Sequence, residues 1–303
     1  MNDPVRGVVV GWDGSRGAQL ALDWAAEAAK RQGLTLTVIH CVDLSMSPGL
    51  SAYSPGGSYV PSLEDLEADV LAAGVARAER ILDRAQIVGY HTVGTPAGEL
   101  VSASEEARLV VTGSRGRGRL LAGLLGSTSY AVTAHARCPA VVVPARSGGE
   151  DLVTPPQPGP GRRVVVGVDG SEPAGRALEA AAQVAHETGG ALHLVGVGRV
   201  VSMESVAYVE ESTAGTEHTH ALREEQEHVI ATAAERIRAQ HPDVTIETDV
   251  LFGEPGHALA DLGANAGLIV LGSRGHGGFT GLLLGSVSHT VIHEAACPVM
   301  VVP

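Results

Sequence analysis

The chain contains an internal repeat, and this repeat limits its possible folds more than any other feature. VVVGWDGS at residues 8–15 recurs as VVVGVDGS at residues 164–171, an offset of 156. Farther along, VVTGSRGRGRLLAGLLGSTS from Val110 recurs as IVLGSRGHGGFTGLLLGSVS from Ile269, an offset of 159. Two related blocks of about 145 residues each have the size of an ordinary domain. The sequence therefore predicts two copies of one domain, fused in tandem.

A stretch rich in proline and glycine separates the two copies. Residues 147–161, SGGEDLVTPPQPGPG, contain four prolines and four glycines, a composition that disfavours both helices and strand ladders. We therefore assign residues 1–146 to domain 1, residues 147–161 to a linker and residues 162–303 to domain 2.

Composition and charge narrow the classes of protein that remain. Of the 303 residues, 44% are hydrophobic, which is enough for two folded cores. Residues 1–146 carry 13 Lys/Arg against 14 Asp/Glu, and residues 162–303 carry 8 against 18. Neither nucleic acid nor an anionic membrane is an expected partner of such a chain. We find no export signal or membrane span, and three cysteines without C-x-x-C spacing fit a reducing cytoplasm.

Within each block, short β-branched runs alternate with longer stretches of helical periodicity. In the first block, strands are expected at 8–12, 34–42, 87–93, 108–113 and 140–144, with helices near 18–31, 63–86, 98–106 and from 127. Apolar strands that are each followed by a helix are typical of a parallel sheet covered on both faces. The predicted fold class is α/β: two tandem, doubly wound, Rossmann-like domains with five parallel strands each. The ligand crevice is expected at the carboxyl ends of the strands.

A glycine-rich loop after the fourth strand is the strongest local signal. Gly113-x-x-Gly116 is followed after nine residues by Gly126-Ser127. Glycine allows positive φ and close approach of main-chain N–H groups, and a helix start favours phosphate. In one copy alone, glycines that turn the chain and a serine that caps the helix are an equal alternative. The second copy keeps the same spacing at Gly272, Gly275, Gly285 and Ser286, and this favours the phosphate site.

The charges of the two loops differ. The first loop contains Arg115, Arg117 and Arg119. The second keeps Arg274 but has His276 and Gly278 at the other two positions. We therefore expect domain 1 to bind a triphosphate more tightly than domain 2.

An acidic residue follows the first strand of each copy. Asp13 and Asp169 stand in G-x-D-G-S, where a carboxylate could accept hydrogen bonds from a ribose or an amino group. Capping of the next helix is an equal alternative, because Asp is a favoured N-cap residue.

Other motifs lack the context that their chemistry needs. The loop is not G-x-x-x-x-G-K-[ST], and it lacks the third glycine of the dinucleotide fingerprint. His289 and His293 are four residues apart beside Glu294, and His218 and His220 lie among glutamates. Solvated helix faces are a better interpretation of these histidines than metal sites, so no metal ligand is assigned.

The combination of G-x-x-G, nine residues and G-[ST] after a strand, with an early G-x-D, resembles the ATP-binding universal stress proteins in both halves. The resemblance implies an adenine nucleotide α-hydrolase-like fold and one ATP per domain, alone or with Mg²⁺. It also implies that the main chain at Cys41 and Val197 meets adenine. Near the ends of the first and third strands, the resemblance implies that the nucleotide site is lined by Gly11, Asp13, Gly94, Gly167, Asp169 and Gly253. The phosphate and ribose positions implied are Gly113, Ser114, Arg115, Gly116, Arg117, Gly118, Gly126, Ser127, Thr128, Gly272, Ser273, Arg274, Gly275, His276, Gly277, Gly285, Ser286 and Val287.

The function implied is that of a non-enzymatic, nucleotide-binding regulator in stress or dormancy, acting on a protein partner that the sequence does not identify. The alternatives are a slow ATP hydrolase, an adenylate-transferring enzyme, or a binder of cyclic AMP rather than ATP. Residues 113–127 contain no Asp, Glu or His, which disfavours catalysis. Family members pair through their last strands, and the apolar runs 140–143 and 299–302 are expected to join the two domains. A homodimer of tandem chains is also compatible with the sequence.

Overall fold

The chain divides into two compact units, residues 1–155 and 156–303. The computed structural model describes residues 7–43, 63–116, 125–145, 154–198, 213–275 and 284–303. Both units are α/β domains, and the two are described separately below.

Domain 1 contains a sheet of five parallel strands in the order β3-β2-β1-β4-β5. The strands are β1 (Val8–Gly11), β2 (Leu36–Val42), β3 (Ile87–Val93), β4 (Leu109–Gly113) and β5 (Ala140–Val143). The helices are α1 (Arg16–Gln32), α2 (Leu63–Ala78), α3 (Pro96–Ala103) and α4 (Ser127–His135). Because the strand order reverses between β1 and β4, the carboxyl ends of these two strands form the expected crevice.

Domain 2 repeats this arrangement in the order β8-β7-β6-β9-β10, again with parallel strands only. Its strands are β6 (Arg163–Gly167), β7 (Leu192–Gly198), β8 (Ile246–Phe252), β9 (Ala266–Gly272) and β10 (Val299–Val302). Its helices are α5 (Glu172–Thr188), α6 (Thr213–Gln240), α7 (Pro255–Asp261) and α8 (Ser286–Glu294). The predicted fold class of two tandem, doubly wound, five-stranded domains is confirmed.

The first helix of each domain is fixed at both ends by local signals. Ser15 caps α1 by accepting a hydrogen bond from the amide of Ala18, and Ser171 caps α5 in the same way. Gly33 and Gly189 end these helices in the left-handed conformation, with φ of 63° and 65°. Only glycine adopts this conformation at little cost. The two helices therefore start and stop at equivalent positions.

Two expectations from the sequence differ from the structure. The helix expected over 63–86 ends at Ala78, because the amides of Arg80 and Ile81 bond to carbonyls three residues back rather than four. The strand β3 was expected to be covered on both faces, but much of it is exposed. The short helix α3 packs mainly on β1 and β2, and it meets β3 at the carboxyl end of that strand, where Glu99 accepts a hydrogen bond from Thr92.

Part of the predicted linker packs on domain 2. Gly159 and Arg162 exchange two backbone hydrogen bonds of 3.0 and 2.9 Å. A Cβ atom on Gly267 would lie 2.5 Å from Pro158, so the chain passes directly over that glycine. Residues 157–159 thus lie against the second domain in spite of their composition, whereas residues 147–153 lie outside the described part of the chain.

In the described ranges, no helix is long and apolar enough to cross a membrane.

We predict that Trp24 is a main contributor to the stability of domain 1. Its side chain is 2% exposed, and its indole N–H has no hydrogen-bond partner in the part of the chain that the structure describes. Trp24→Ala should lower the free energy of unfolding by about 3–5 kcal/mol, because it leaves a large cavity. Trp24→Phe should cost far less, because a phenyl ring fills most of the space of the indole and the unsatisfied N–H donor is removed. Urea unfolding of both variants measures the difference, and equal losses would contradict the prediction.

Candidate functional site

The turn after the first strand places a carboxylate at the crevice in both domains. Asp13 Oδ1 accepts a hydrogen bond of 2.9 Å from the amide of Ser15, and Asp169 Oδ1 accepts one of the same length from Ser171. The intervening residues, Gly14 and Gly170, have φ of 76° and 83°. The serines cap the following helices, so the capping alternative for the two aspartates is wrong. Each aspartate instead closes a tight turn, and its other oxygen, Oδ2, lies toward the glycine loop.

That second carboxylate oxygen lies against the glycine loop. A Cβ atom on Gly116 would be 2.7 Å from Asp13 Oδ2, and one on Gly275 would be 2.5 Å from Asp169 Oδ2. Real Cβ atoms do not approach oxygen so closely, so these positions require glycine as long as the carboxylate stays in place. Tertiary contact thus joins two motifs that lie about 100 residues apart in each repeat.

Close approach, rather than positive φ, explains the first two glycines of each loop, Gly113 and Gly116 in domain 1 and Gly272 and Gly275 in domain 2. The glycines with positive φ in the described ranges lie elsewhere, at 14, 33, 161, 170, 189 and 253. A Cβ atom on Gly113 would overlap the backbone of Gly17 in α1. On Gly272 it would lie 2.7 Å from the carbonyl carbon of Pro173, the equivalent residue in α5. The first turn of the helix therefore packs directly on the end of β4 or β9.

Backbone and serine hydrogen bonds fix the path of each loop. The Ser114 amide donates to Val143 O, and the Gly126 amide donates to Ser114 O, at 2.8 and 2.9 Å. Ser273 and Gly285 repeat these bonds in domain 2 at 2.8 Å each. The hydroxyl of Ser129 donates to Gly113 O at 2.6 Å.

The equivalent Ser288 donates to Gly272 O at 2.8 Å. The sequence analysis missed this pair of serines. The repeated G-S-x-S at the helix start was the signal that could have revealed them.

The helix after each loop begins with exposed polar groups. Its N-cap residues are Gly126 and Gly285, neither of which provides a side-chain capping bond. Ser127 and Ser286 are the first helical residues, so the interpretation of these serines as caps is wrong. The first amides of a helix have no partner within it, and they carry the positive end of the dipole. An anion is the natural partner for such a helix start.

Of the basic residues predicted in the two loops, Arg115 and Arg274 lie in the described part of the chain. Arg115 Nη2 donates a hydrogen bond of 2.9 Å to Ala145 O, which directs its guanidinium to the segment after β5. Arg274 is exposed at the equivalent position. Arg117, Gly118, Arg119, His276, Gly277 and Gly278 lie outside the described residues.

A further charge difference was missed by the sequence analysis. The residue after the capping serine is Arg16 in domain 1 and Glu172 in domain 2.

The predicted base-contacting positions lie at the ends of the second and third strands. The Cys41 thiol donates to Gly94 O at 3.1 Å, and the Gly94 amide donates to Val42 O. In domain 2 the Gly253 amide donates to Gly198 O, next to Val197. Cys41 and Gly94 are thus neighbours, as are Val197 and Gly253.

The glycines that end the first strands have a packing role. A Cβ atom on Gly11 would lie 2.9 Å from Leu100, and one on Gly167 would lie 2.9 Å from Leu271. Their missing side chains therefore face the protein interior. Each strand can still contribute main-chain groups to the crevice.

A cleft of about 520 Å³ opens beside Asp13, between the β1–α1 turn and α2. Its floor is formed by Trp12, whose indole N–H donates to Val70 O at 2.6 Å. At its wall, Arg77 forms an ion pair of 2.6 Å with Asp23, and Arg236 and Glu179 repeat this pair in domain 2 at 3.2 Å. The residues lining the cleft are Trp12, Asp13, Gly14, Ser15, Gln19, Asp69, Val70, Ala73, Arg77 and Arg80.

The histidines that were weighed as metal ligands are placed as follows. His289 and His293 lie with ring centroids 4.4 Å apart, and Glu294 pairs with His257 at 2.7 Å. Within the described ranges, no group of three or more His, Cys, Asp or Glu side chains is arranged to hold a metal ion. The side chains of His218 and His220 are outside these ranges.

We predict that Cys41 reacts slowly with thiol reagents at neutral pH. Burial, and then the charges of Glu99 and Asp43, raise its pKa to about 11, against a smaller opposing effect of the Gly94 hydrogen bond. At pH 8 only roughly one thiol in a thousand would then be the reactive thiolate, so the rate should rise about tenfold per pH unit up to pH 10. A Cys138→Ser/Cys297→Ser variant isolates this thiol for measurement. A rate that levels off near pH 9 would contradict the prediction, and the same variant in denaturant is the control.

Comparison with known proteins identifies the family. The model of the universal stress protein family matches residues 4–144 and again residues 161–303. Universal stress protein Rv2005c of Mycobacterium tuberculosis is 36% identical over 301 residues, covering 97% of this chain and 96% of that protein. Universal stress protein Rv1996 of the same organism is 32% identical over 311 residues, covering 97% and 94%.

A solved structure gives the same result for the fold. The universal stress protein from Archaeoglobus fulgidus has a TM-score of 0.62 and 24% identity, with 98% of each chain covered. The family match spans both repeats, and it agrees with the two sheets and the two glycine loops. The chain therefore belongs to the universal stress protein family, with two family domains in tandem.

Proposed function

We propose that each domain binds one adenine nucleotide, ATP alone or with Mg²⁺, and that the chain is a regulatory nucleotide-binding protein in a stress or dormancy response. The observation that carries this proposal is the same constellation in both domains. A carboxylate lies on a glycine loop that leads into a helix start without a side-chain cap. Two copies with the same contacts support a shared ligand rather than a coincidence of packing.

The phosphates are assigned to the start of α4 in domain 1 and of α8 in domain 2. The first amides of these helices, at Ser127 and Thr128 and at Ser286 and Val287, are available donors. The first carbonyl of each loop, that of Gly113 or Gly272, accepts a hydrogen bond from Ser129 or Ser288, which fixes the loop start against the helix. A fixed set of donors costs little to order when an anion binds, and this favours affinity.

The sugar and the base are assigned to the strand ends on the other side of the loop. Asp13 Oδ2 and Asp169 Oδ2 face the loop and can accept hydrogen bonds from ribose hydroxyls. The main chain near Cys41 and Val197 lies farther along the same edge, where we propose that the base binds. One extended ligand could then contact three consecutive strand ends.

Domain 1 is proposed to bind a triphosphate more tightly than domain 2. Arg16 begins α1, whereas Glu172 begins α5, and Glu172 is 87% exposed in an ion pair with Arg176. An acidic side chain at this position disfavours a highly charged anion nearby. The difference adds to that of the loops, where domain 2 has His276 and Gly278 in place of Arg117 and Arg119.

A regulatory rather than an enzymatic role is proposed because the site has few groups for proton transfer. The described loop residues 113–116 and 125–129 contain no Asp, Glu or His. The adjacent Asp13 is committed through one oxygen to the Ser15 amide. Phosphoryl transfer generally needs a positioned base or metal ligands. Multiple turnovers of ATP per second would overturn the regulatory role, and mass spectrometry of the released nucleotide distinguishes ATP from cyclic AMP.

Pairing of the two domains through their last strands also stays a proposal. Its support is the uniformly apolar sequence of Ala140–Val143 and Val299–Val302. Unprotected apolar edge strands favour association.

We predict that Gly116→Glu removes one of two bound nucleotides. The new carboxylate would stand where phosphate is proposed to bind, and its Cβ atom would displace Asp13 from 2.7 Å away. Titration calorimetry should give two ATP per wild-type chain and one per variant. Gly275→Glu should remove the other nucleotide, since its Cβ atom would lie 2.5 Å from Asp169 Oδ2.

Ala72→Glu is the matched control, because it adds the same charge on an exposed part of α2. It should keep both nucleotides. Undiminished stoichiometry in Gly116→Glu would count against the assignment, and absence of any binding to the wild-type chain would overturn the proposed function.

A further inference from the structure

The ends of β2 and β3 carry polar side chains that converge on one carboxylate. Glu99, in the first turn of α3, accepts a hydrogen bond from the Thr92 hydroxyl at 3.3 Å. Its other oxygen lies 3.0 Å from the place where a Cβ atom on Gly94 would be. Gly94 O in turn accepts the hydrogen bond of the Cys41 thiol. The carboxylate is therefore held at the same strand ends as Cys41.

The strand register connects this group to the rest of the site. Gly11 of β1 is level with Ile39 of β2, and Cys41 is level with Thr92 of β3. Two residues beyond Gly11 on the same edge is Asp13. The ends of β1, β2 and β3 thus present Asp13, Cys41 and Thr92 in sequence across the crevice. The charge of Glu99 acts within this region, since it contributes to the raised pKa of the Cys41 thiol.

Domain 2 is apolar at the equivalent positions. The repeat offsets of 156 and 159 align Cys41 with Val197, Thr92 with Leu251 and Glu99 with Ala258. The next strand residue is Phe252, whose ring has the guanidinium of Arg223 5.1 Å from its centroid. No carboxylate takes the place of Glu99 among these aligned residues. The two domains differ here more than at their glycine loops.

We propose that Glu99 determines base specificity in domain 1 by accepting a hydrogen bond from the amino group of the base. This proposal rests on the proposed function, because it needs a nucleotide whose base lies beside Cys41. Thr92 orients the carboxylate through its hydroxyl. Domain 2 holds the base through Val197, Leu251 and Phe252 by apolar contact, and it does not distinguish an amino group from hydrogen. The two sites of one chain therefore differ in what they recognise.

The test compares ATP with purine riboside triphosphate, which lacks only the amino group. Trp12 lies beside Asp13 and reports on domain 1 alone, because both tryptophans of the chain are in this domain. Trp24→Phe leaves Trp12 as the single fluorophore. A hydrogen bond to a charged group changes affinity by roughly tenfold to a hundredfold. In the Trp24→Phe chain, Trp12 fluorescence should therefore show that domain 1 binds ATP roughly tenfold to a hundredfold more tightly than purine riboside triphosphate. Calorimetry should show that domain 2 binds the two triphosphates with equal affinity.

Glu99→Ala should bring the ratio of the two dissociation constants at domain 1 close to one, so that ATP is no longer preferred. Thr92→Val, which leaves the carboxylate in place but removes its orienting hydroxyl, should reduce the preference less and serves as a second variant if Glu99→Ala unfolds. Glu105→Ala, an exposed glutamate just after α3, is the matched control and should keep the full preference. Equal affinity for the two triphosphates at wild-type domain 1 would overturn this inference and leave the proposed function intact. Failure of both to bind would instead overturn the proposed function.

Discussion

The contact between the first helix and the fourth strand of each domain is the constraint on which the site depends. Gly17 and Gly113 meet backbone to backbone in domain 1, and Pro173 meets Gly272 in domain 2. Because the helix start is pressed onto the strand end, the preceding turn brings its aspartate over the loop. A bulkier residue at Gly113 would separate these elements and move Asp13 away from Gly116. Geometry at the candidate site is therefore a consequence of core packing.

This constraint separates the parts of the site that the two domains share from those that they do not. The aspartate, the loop glycines and the serines behind the loop recur with nearly identical distances. The residues farther along the strand ends differ, with Glu99 and Thr92 in one domain and Ala258 and Leu251 in the other. The residues that the two domains share are constrained by packing, because each of them contacts the backbone of a neighbouring segment. The ends of the second and third strands are free to vary, and specificity can change there without loss of the fold.

The two domains also differ in charge, again at positions outside the packed residues that they share. Domain 2 carries most of the negative charge of the chain, and it has Glu172 where domain 1 has Arg16. Charges on exposed helix starts alter the local potential without altering the packing. A tandem chain can in this way keep two nearly identical scaffolds and still give its two sites different preferences. The proposed functions of the sites rest on such differences as well as on their common loop.

Much of the fold was determined by the sequence itself, because its signals are local or repeated. The duplication, the alternation of apolar strands with helices and the spacing of the glycines gave both domains and their strand elements, and IVGYHTV predicted β3 at its observed bounds. Local pattern did not predict that Ser15 and Ser171, rather than the aspartates, cap the helices, nor that Gly126 and Gly285 are the caps of the later ones. These outcomes depend on backbone conformation at single residues.

Only the tertiary structure brought Asp13 to Gly116 and Glu99 to Thr92 and Gly94. Strand order and register decide which distant side chains become neighbours, and hydrophobic periodicity carries no information about either.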